Sequence, residues 1–155
     1  MTPTREQVYA AAFAKAQTLL ATNGGPFAFM SRRLEFVEEV PTENFPNLFQ
    51  FQTDQEPLLH SLSGPVGWWL DLEWYIGCQQ PDTSLPSTPV LNPLVDAVCD
   101  LLTVDPTEPT TLTFDANGTE YNCAMWINGT IQVWEGLLGN RAVAIIPIRV
   151  QVPYT

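Results

Sequence analysis

The feature that most constrains the fold is a long alternation of apolar and polar side chains over residues 66–78. Trp68, Leu70, Leu72, Trp74, Ile76 and Cys78 fall on one side of this run, while Trp69, Asp71, Glu73 and Tyr75 fall on the other. Successive side chains of a β-strand point to opposite faces, so the pattern predicts a long central strand with one face in the core. The aromatic residues on the apolar side favour core packing over a sugar-binding platform.

Two amphipathic helices are predicted on either side of this strand. Thr4 and Gln7 have the spacing of a capping box, and no Gly or Pro interrupts residues 5–21, which end at an Asn-Gly-Gly-Pro stop. A second helix is predicted to begin with Asn92 as N-cap and Pro93 at its first position, after a proline-rich connector over residues 79–93, and to stop before Pro106.

Three turn dipeptides, at residues 117–118, 128–129 and 139–140, divide the last third of the chain into strand-forming runs. They predict an antiparallel meander of four strands over residues 111–115, 119–127, 130–137 and 141–152. The last run is rich in Ala, Val and Ile, which favours a strand covered on both faces, whereas Pro147 favours a sheet edge or a bulge there.

Between the first helix and the central strand, two short strands are predicted over residues 31–38 and 47–52, and they could pair as a hairpin. Residues 53–65 form a predicted polar loop that is long enough to protrude. Together these elements predict one α+β domain over residues 1–155, with a single antiparallel-rich sheet and two main helices packed on it.

The charge and the residue types exclude several classes of function more strongly than they favour one. Seventeen acidic residues face six basic ones, giving a formal net charge of -11, and such a surface repels nucleic-acid phosphates. No phosphate loop, nucleophile elbow or zinc-protease motif is present, and we expect no cofactor, metal or catalytic site. The three cysteines are expected to be buried thiols, and no apolar run or signal layout suggests contact with a membrane.

The order of short motifs resembles a known family over nearly the whole chain. The motifs are Ser31-Arg32-Arg33, the acidic turn 37–41, the segment 46–49, the helix start 91–97 and the strand 144–150. Together they are similar to the tail-terminator or minor-tail-protein family of long-tailed bacteriophages. The resemblance implies a structural virion protein, made in the host cytoplasm, that forms a six-fold ring on the head-proximal end of the tail tube.

Within that family the ring stops polymerisation of the tube and joins it to the head connector, so the implied partners are further copies, the tube protein and a neck protein. DNA would pass through an acidic lumen without specific binding. A neck or head-completion protein, a carbohydrate-binding β-domain and a small hydrolase using residues such as Asp71 or Glu73 remain alternatives. The residues expected to contact other subunits or the tube are Arg32, Arg33, Glu38 and Glu39 on the predicted hairpin, and Asp54, Glu56 and His60 on the predicted loop.

Overall fold

The computed structural model describes residues 2–61, 64–102, 109–135 and 139–153. In chain order its regular elements are helix α1 (Arg5–Gln17), strands β1 (Phe29–Ser31), β2 (Asn47–Ser61) and β3 (Gly64–Gln79), helix α2 (Thr88–Leu101), and strands β4 (Thr110–Ala116), β5 (Thr119–Ile127), β6 (Gln132–Trp134) and β7 (Arg141–Pro153). The fold is therefore mixed α and β, as predicted, with one sheet that is mainly antiparallel.

The strands of this sheet follow the order β1-β2-β3-β7-β5-β4, and β6 adds to β7 beside β5. β3 is the central strand that the alternation predicts, and it pairs with β7 without interruption from Gly67↔Pro153 to Gln79↔Arg141. The last strands are antiparallel, as predicted, but they do not form a simple meander. β6 pairs with β7 alone, and β5 reaches β7 directly through residues 124–127.

Both helices contribute to one core that covers one face of the sheet. Trp74, Ile76 and Ile146 of the central strands are fully buried in it, and so is Val8 of α1 and Val98 of α2. Each large apolar side chain removed from water in this way stabilises the fold by about 2 kcal/mol before conformational entropy is subtracted. The burial alternates along β3 and β7, which leaves the other face of the sheet only half-covered.

Helix α1 begins as the capping box predicts, since Thr4 Oγ1 accepts from the amide of Gln7 and the Gln7 side chain accepts from the amide of Thr4. The start of α2 differs from the prediction, because the helix begins at Thr88 and contains Pro93 in its interior. Its N-terminus is capped from a distance. Glu135 Oε1 accepts hydrogen bonds from the amides of Ser87 and Thr88 and from the Thr88 hydroxyl, each at 3.1 Å.

The predicted strand over residues 31–38 and its hairpin are wrong. β1 ends at Ser31 and runs parallel to β2, so residues 32–46 form the connection that a parallel pair requires. The predicted loop over residues 53–65 is also wrong in its described part, because β2 continues to Ser61 in antiparallel pairing with β3. Pairing with β3 overrides the weak strand propensity of Asp54 and Glu56; a register shift between Gln52 and Gln55 accommodates Asp54, and Glu56 pairs with Trp69.

Pro147 lies in a central strand without a bulge, contrary to the expected edge or bulge. Its carbonyl accepts from the amide of Asn128 at 2.9 Å, so its ring nitrogen, which has no hydrogen, faces the same side of the strand. That side is the junction at which β7 changes its partner from β6 to β5, between Gln132↔Ile145 and Ile127↔Ile148. A proline is tolerated there because neither neighbour needs its amide.

Candidate interaction surfaces

The residues predicted to contact partners lie on the connection after β1 and on strand β2, whereas a hairpin and a loop were expected. Arg32 and Arg33 follow β1 at the start of the connection, and Glu38 and Glu39 occupy a turn near its middle. Arg32 is already engaged within the chain: its guanidinium forms a bidentate ion pair with Glu6 of α1. This pairing lowers the pKa of the exposed Glu6 carboxyl. Arg32 therefore ties the connection to α1 through an ion pair at the surface.

Asp54 and Glu56 lie on β2, where both side chains are exposed. They contribute to the field around Arg149, whose pKa they help to raise. His60 also belongs to β2, but its side chain lies outside the described residues. Asp54 and Glu56 were predicted to contact partners from a loop; the structure places them instead on a strand, exposed to solvent, and their contact with a partner stays a prediction.

Asp71, which the hydrolase alternative would use, belongs to an ion pair in the half-covered face of the sheet. Arg149 on β7 lies opposite Asp71 on β3, with Nε to Oδ1 at 2.8 Å and a second hydrogen bond of 2.9 Å to Oδ2. The hydrogen bonds that Arg149 donates to the Asp71 carboxylate are the main reason that its pKa is raised. The guanidinium also lies 4.3 Å from the centre of the Trp69 ring. Asp71 is thus held by a structural ion pair, which argues against its use as a general acid or base.

The sheet has two long edges to which no strand of the described part is paired. On one side, β1 covers β2 only at residues 47–49, so the remainder of β2 presents its outer backbone edge. On the other side, β4 pairs only with β5. Unpaired strand edges are templates for adding another strand from a second chain. The bulge and Pro57 interrupt the β2 edge, whereas β4 pairs with β5 without a register shift.

The half-covered face also contains an apolar groove of about 520 Å³. Its floor consists of side chains from β2, β3 and β7, and its walls are the connection after β1 on one side and β6 on the other. Several large apolar side chains around it remain exposed to solvent, most of all Phe36 at 74% and Trp134 at 49%. The residues that define this groove are Leu34, Phe36, Phe49, Tyr75, Trp134 and Ile145.

Arg141 holds the connection in place above the sheet and so shapes the groove. Its guanidinium donates to the carbonyl of Val37 at 2.5 Å and lies 4.6 Å from the centre of the Phe45 ring. The groove includes two carboxylates, Glu35 and Glu38, and no cation lines it. The residues that line the groove therefore carry only negative charge.

The thiols do not provide a reactive site. Cys78 and Cys123 are buried, and burial raises the pKa of each thiol to about 11. Burial also raises the pKa of Cys99, with the charges of Asp96 and Asp100 adding to the effect. The prediction of buried thiols is confirmed for Cys78 and Cys123, whereas Cys99 is only partly buried; all three are free thiols that are protonated near neutral pH. Among the described residues no group of His, Cys, Asp and Glu side chains could hold a metal ion, and no helix is long and apolar enough to cross a membrane.

Sequence reasoning missed both the apolar groove and the Asp71–Arg149 pair. The alternation of β3 and β7 indicated which residues share the half-covered face, but only the register shows that Asp71 lies opposite Arg149. Leu34 and Phe36 looked like the buried side of a strand, and their exposure follows from the connection that carries them. No protein-family model matches this chain, and no curated protein matches it.

Proposed function

We propose that this protein is a structural subunit of a tailed bacteriophage, a tail-terminator-like protein that assembles head to tail into a ring at the end of the tail tube. The observation that supports the proposal best is the pair of unpaired strand edges on opposite sides of the sheet. A contact between two different surfaces of identical chains closes into a ring if the rotation between neighbours allows it. The order of motifs that resembles the tail-terminator family supports the same role.

The chemistry of the two edges suits such a contact. The β2 edge presents the acidic side chains of Asp54 and Glu56, and the β4 edge presents the exposed threonines Thr111 and Thr113, with the exposed Asp115 near its end, so the proposed contact centres on the threonines. Threonine favours strand pairing and adds no charge that would repel the acidic edge. The excess of acidic residues would also allow DNA to pass through a ring without adhering to it.

Light scattering of the purified protein, alone and after mixing with a tail-tube preparation, tests the proposal when it is combined with negative-stain microscopy. Closed rings, or caps on one end of the tubes, are the expected result. A protein that remains monomeric and ignores the tubes would contradict the terminator role. Rings that bind a head connector but not tubes would favour the neck-protein alternative.

A matched pair of variants at Thr113 tests whether the β4 edge takes part. Its side chain is exposed and donates to Asn122 Oδ1 at 2.7 Å, and both Thr113→Asp and Thr113→Lys remove this hydrogen bond. If the β4 edge meets the acidic β2 edge, Thr113→Asp weakens assembly through repulsion, while Thr113→Lys preserves or strengthens it. Equal assembly by the two variants would mean that these edges do not meet.

A further inference from the structure

The apolar groove bounded by Phe36 and Trp134 leaves several large apolar side chains exposed to water. Leu34 is 39% exposed, Phe36 is 74% exposed and Trp134 is 49% exposed, and all three belong to the same groove. Exposed apolar side chains that gather around one concavity mark a binding surface more often than scattered ones do. The volume of about 520 Å³ lies within the range of sites that accept a few apolar groups.

The charges at the groove narrow the chemistry of its occupant. Glu35 and Glu38 line it together with the apolar side chains, and none of the lining residues is a Lys or an Arg. An occupant that brought only apolar groups would leave both carboxylates partly desolvated without a partner, which costs free energy. An occupant with basic groups at its ends would instead pair with them.

The chain itself offers few cations for this purpose. Of its six Lys and Arg residues, Arg32 and Arg149 are in ion pairs, while Arg5 and Arg141 lie against the rings of Trp68 and Phe45. The two other cations are Lys15 and Arg33. Most cations of a second copy are engaged within its own fold, so pairing with Glu35 and Glu38 favours a different protein as the occupant.

We propose that this groove is a docking site for another protein, which inserts a short segment with one or two large apolar side chains flanked by Lys or Arg. The apolar side chains fill the space between Phe36 and Trp134, and the flanking cations pair with Glu35 and Glu38. The site lies over β2, β3 and β7, away from the β4 edge, and it does not depend on ring formation.

Fluorescence anisotropy with a labelled peptide of about ten residues, in which leucines and lysines alternate, tests this site. A second peptide with glutamate in place of each lysine is the comparison. We expect the lysine peptide to bind at least about tenfold more tightly than the glutamate peptide, and Phe36→Ser to weaken its binding about tenfold. The double substitution Glu35→Lys/Glu38→Lys should invert the preference between the peptides.

Two control variants separate the groove from the general acidity of the protein. Leu85→Ser removes an exposed apolar side chain outside the groove, and Glu120→Lys changes a charge on the β4–β5 hairpin. Both should bind the lysine peptide like the unchanged protein, and thermal melting should show that all variants are folded. The proposal is overturned if neither peptide binds, or if Phe36→Ser and the double charge reversal bind no differently from the controls. It is also overturned if Phe36→Ser lowers the mass of the protein in solution, since a second copy would then fill the groove.

Discussion

Replacing Gln50 by leucine should show how strongly α1 is tied to the sheet by a buried chain of hydrogen bonds. Trp74 on β3 donates from Nε1 to Gln50 Oε1 at 3.0 Å, and Gln50 Nε2 donates to the carbonyl of Tyr9 in α1 at 2.8 Å. Gln50 is 2% exposed and Trp74 is fully buried, so neither side chain has water as an alternative partner. The glutamine thus links three elements through its two amide atoms.

The cost of Gln50→Leu follows from what each partner loses. The indole N–H of Trp74 is left buried without an acceptor, which costs about 1–3 kcal/mol, whereas the carbonyl of Tyr9 keeps its helical hydrogen bond and loses only about 1 kcal/mol. The additional apolar burial of leucine offsets about 1 kcal/mol. We therefore expect Gln50→Leu to lower the free energy of unfolding by about 2 kcal/mol, mostly because of the unpaired indole.

A double-mutant cycle with Trp74→Phe isolates this contribution. Trp74→Phe leaves Gln50 Oε1 without its donor and creates a cavity, but the double variant contains neither the unpaired indole nor the unpaired amide oxygen. The two single losses should therefore exceed the loss in the double variant by about 1–2 kcal/mol, measured by urea unfolding followed by circular dichroism. Losses that add within about 0.5 kcal/mol would refute the claim that the hydrogen bond couples the two residues.

Three further outcomes are expected. Glu135→Ala removes the acceptor that caps α2 and should lower the free energy of unfolding by about 1 kcal/mol in urea titrations, while Glu135→Gln, which keeps an acceptor oxygen, should lose less. Asp71→Ala leaves the guanidinium of Arg149 without its bidentate partner and should lower the free energy of unfolding by about 2 kcal/mol, as judged from thermal melting. Added salt should not cause the same loss in the unchanged protein, because both side chains are largely covered and the ion pair is therefore poorly screened. Folding raises the pKa of Cys78 and Cys123 from 9.0 to about 11, so the contribution of the two protonated thiols to stability is present below pH 9 and is lost as the pH rises from 9 toward 11. The free energy of unfolding should therefore fall over that interval, and it should fall less in a Cys78→Ala/Cys123→Ala variant. An identical pH dependence in the two proteins would contradict the assignment.

The elements that could be predicted from the sequence are those whose signal is local. The alternation of β3 predicted its length and its buried face, because six apolar residues at every second position are typical of a strand with one face in the core. The turn at Asn117 and Gly118 was readable for a similar reason. Both residues have a positive φ, at 54° and 79°, which is the conformation that an Asn-Gly hairpin turn requires.

The errors arise where a distant partner decides the local structure. Residues 53–61 contain Asp, Gln, Glu and Pro, and they form a strand only because β3 is long enough to pair with them. The start of α2 was displaced because Pro93 was taken as its first helical position, although Ser87 as N-cap with Pro89 in the first turn signals the earlier start; the side chain that caps it comes from Glu135, 47 residues further along the chain than Thr88. Pro147 was interpreted as the sign of a sheet edge or a bulge, because the sequence does not show that β7 changes partners at that residue.

The positions of the candidate surfaces depend on which faces and edges of the sheet are covered by the rest of the chain. The helices occupy one face, and the connection after β1 covers part of the other, because a parallel β1–β2 pair forces residues 32–46 to return across the sheet. That same return raises Leu34 and Phe36 above the floor of β2, β3 and β7 and creates the groove between them and β6. The edges remain at β2 and β4, on opposite sides. The groove shares no residue with β4, so substitutions at the β4 edge and in the groove test the two proposals separately.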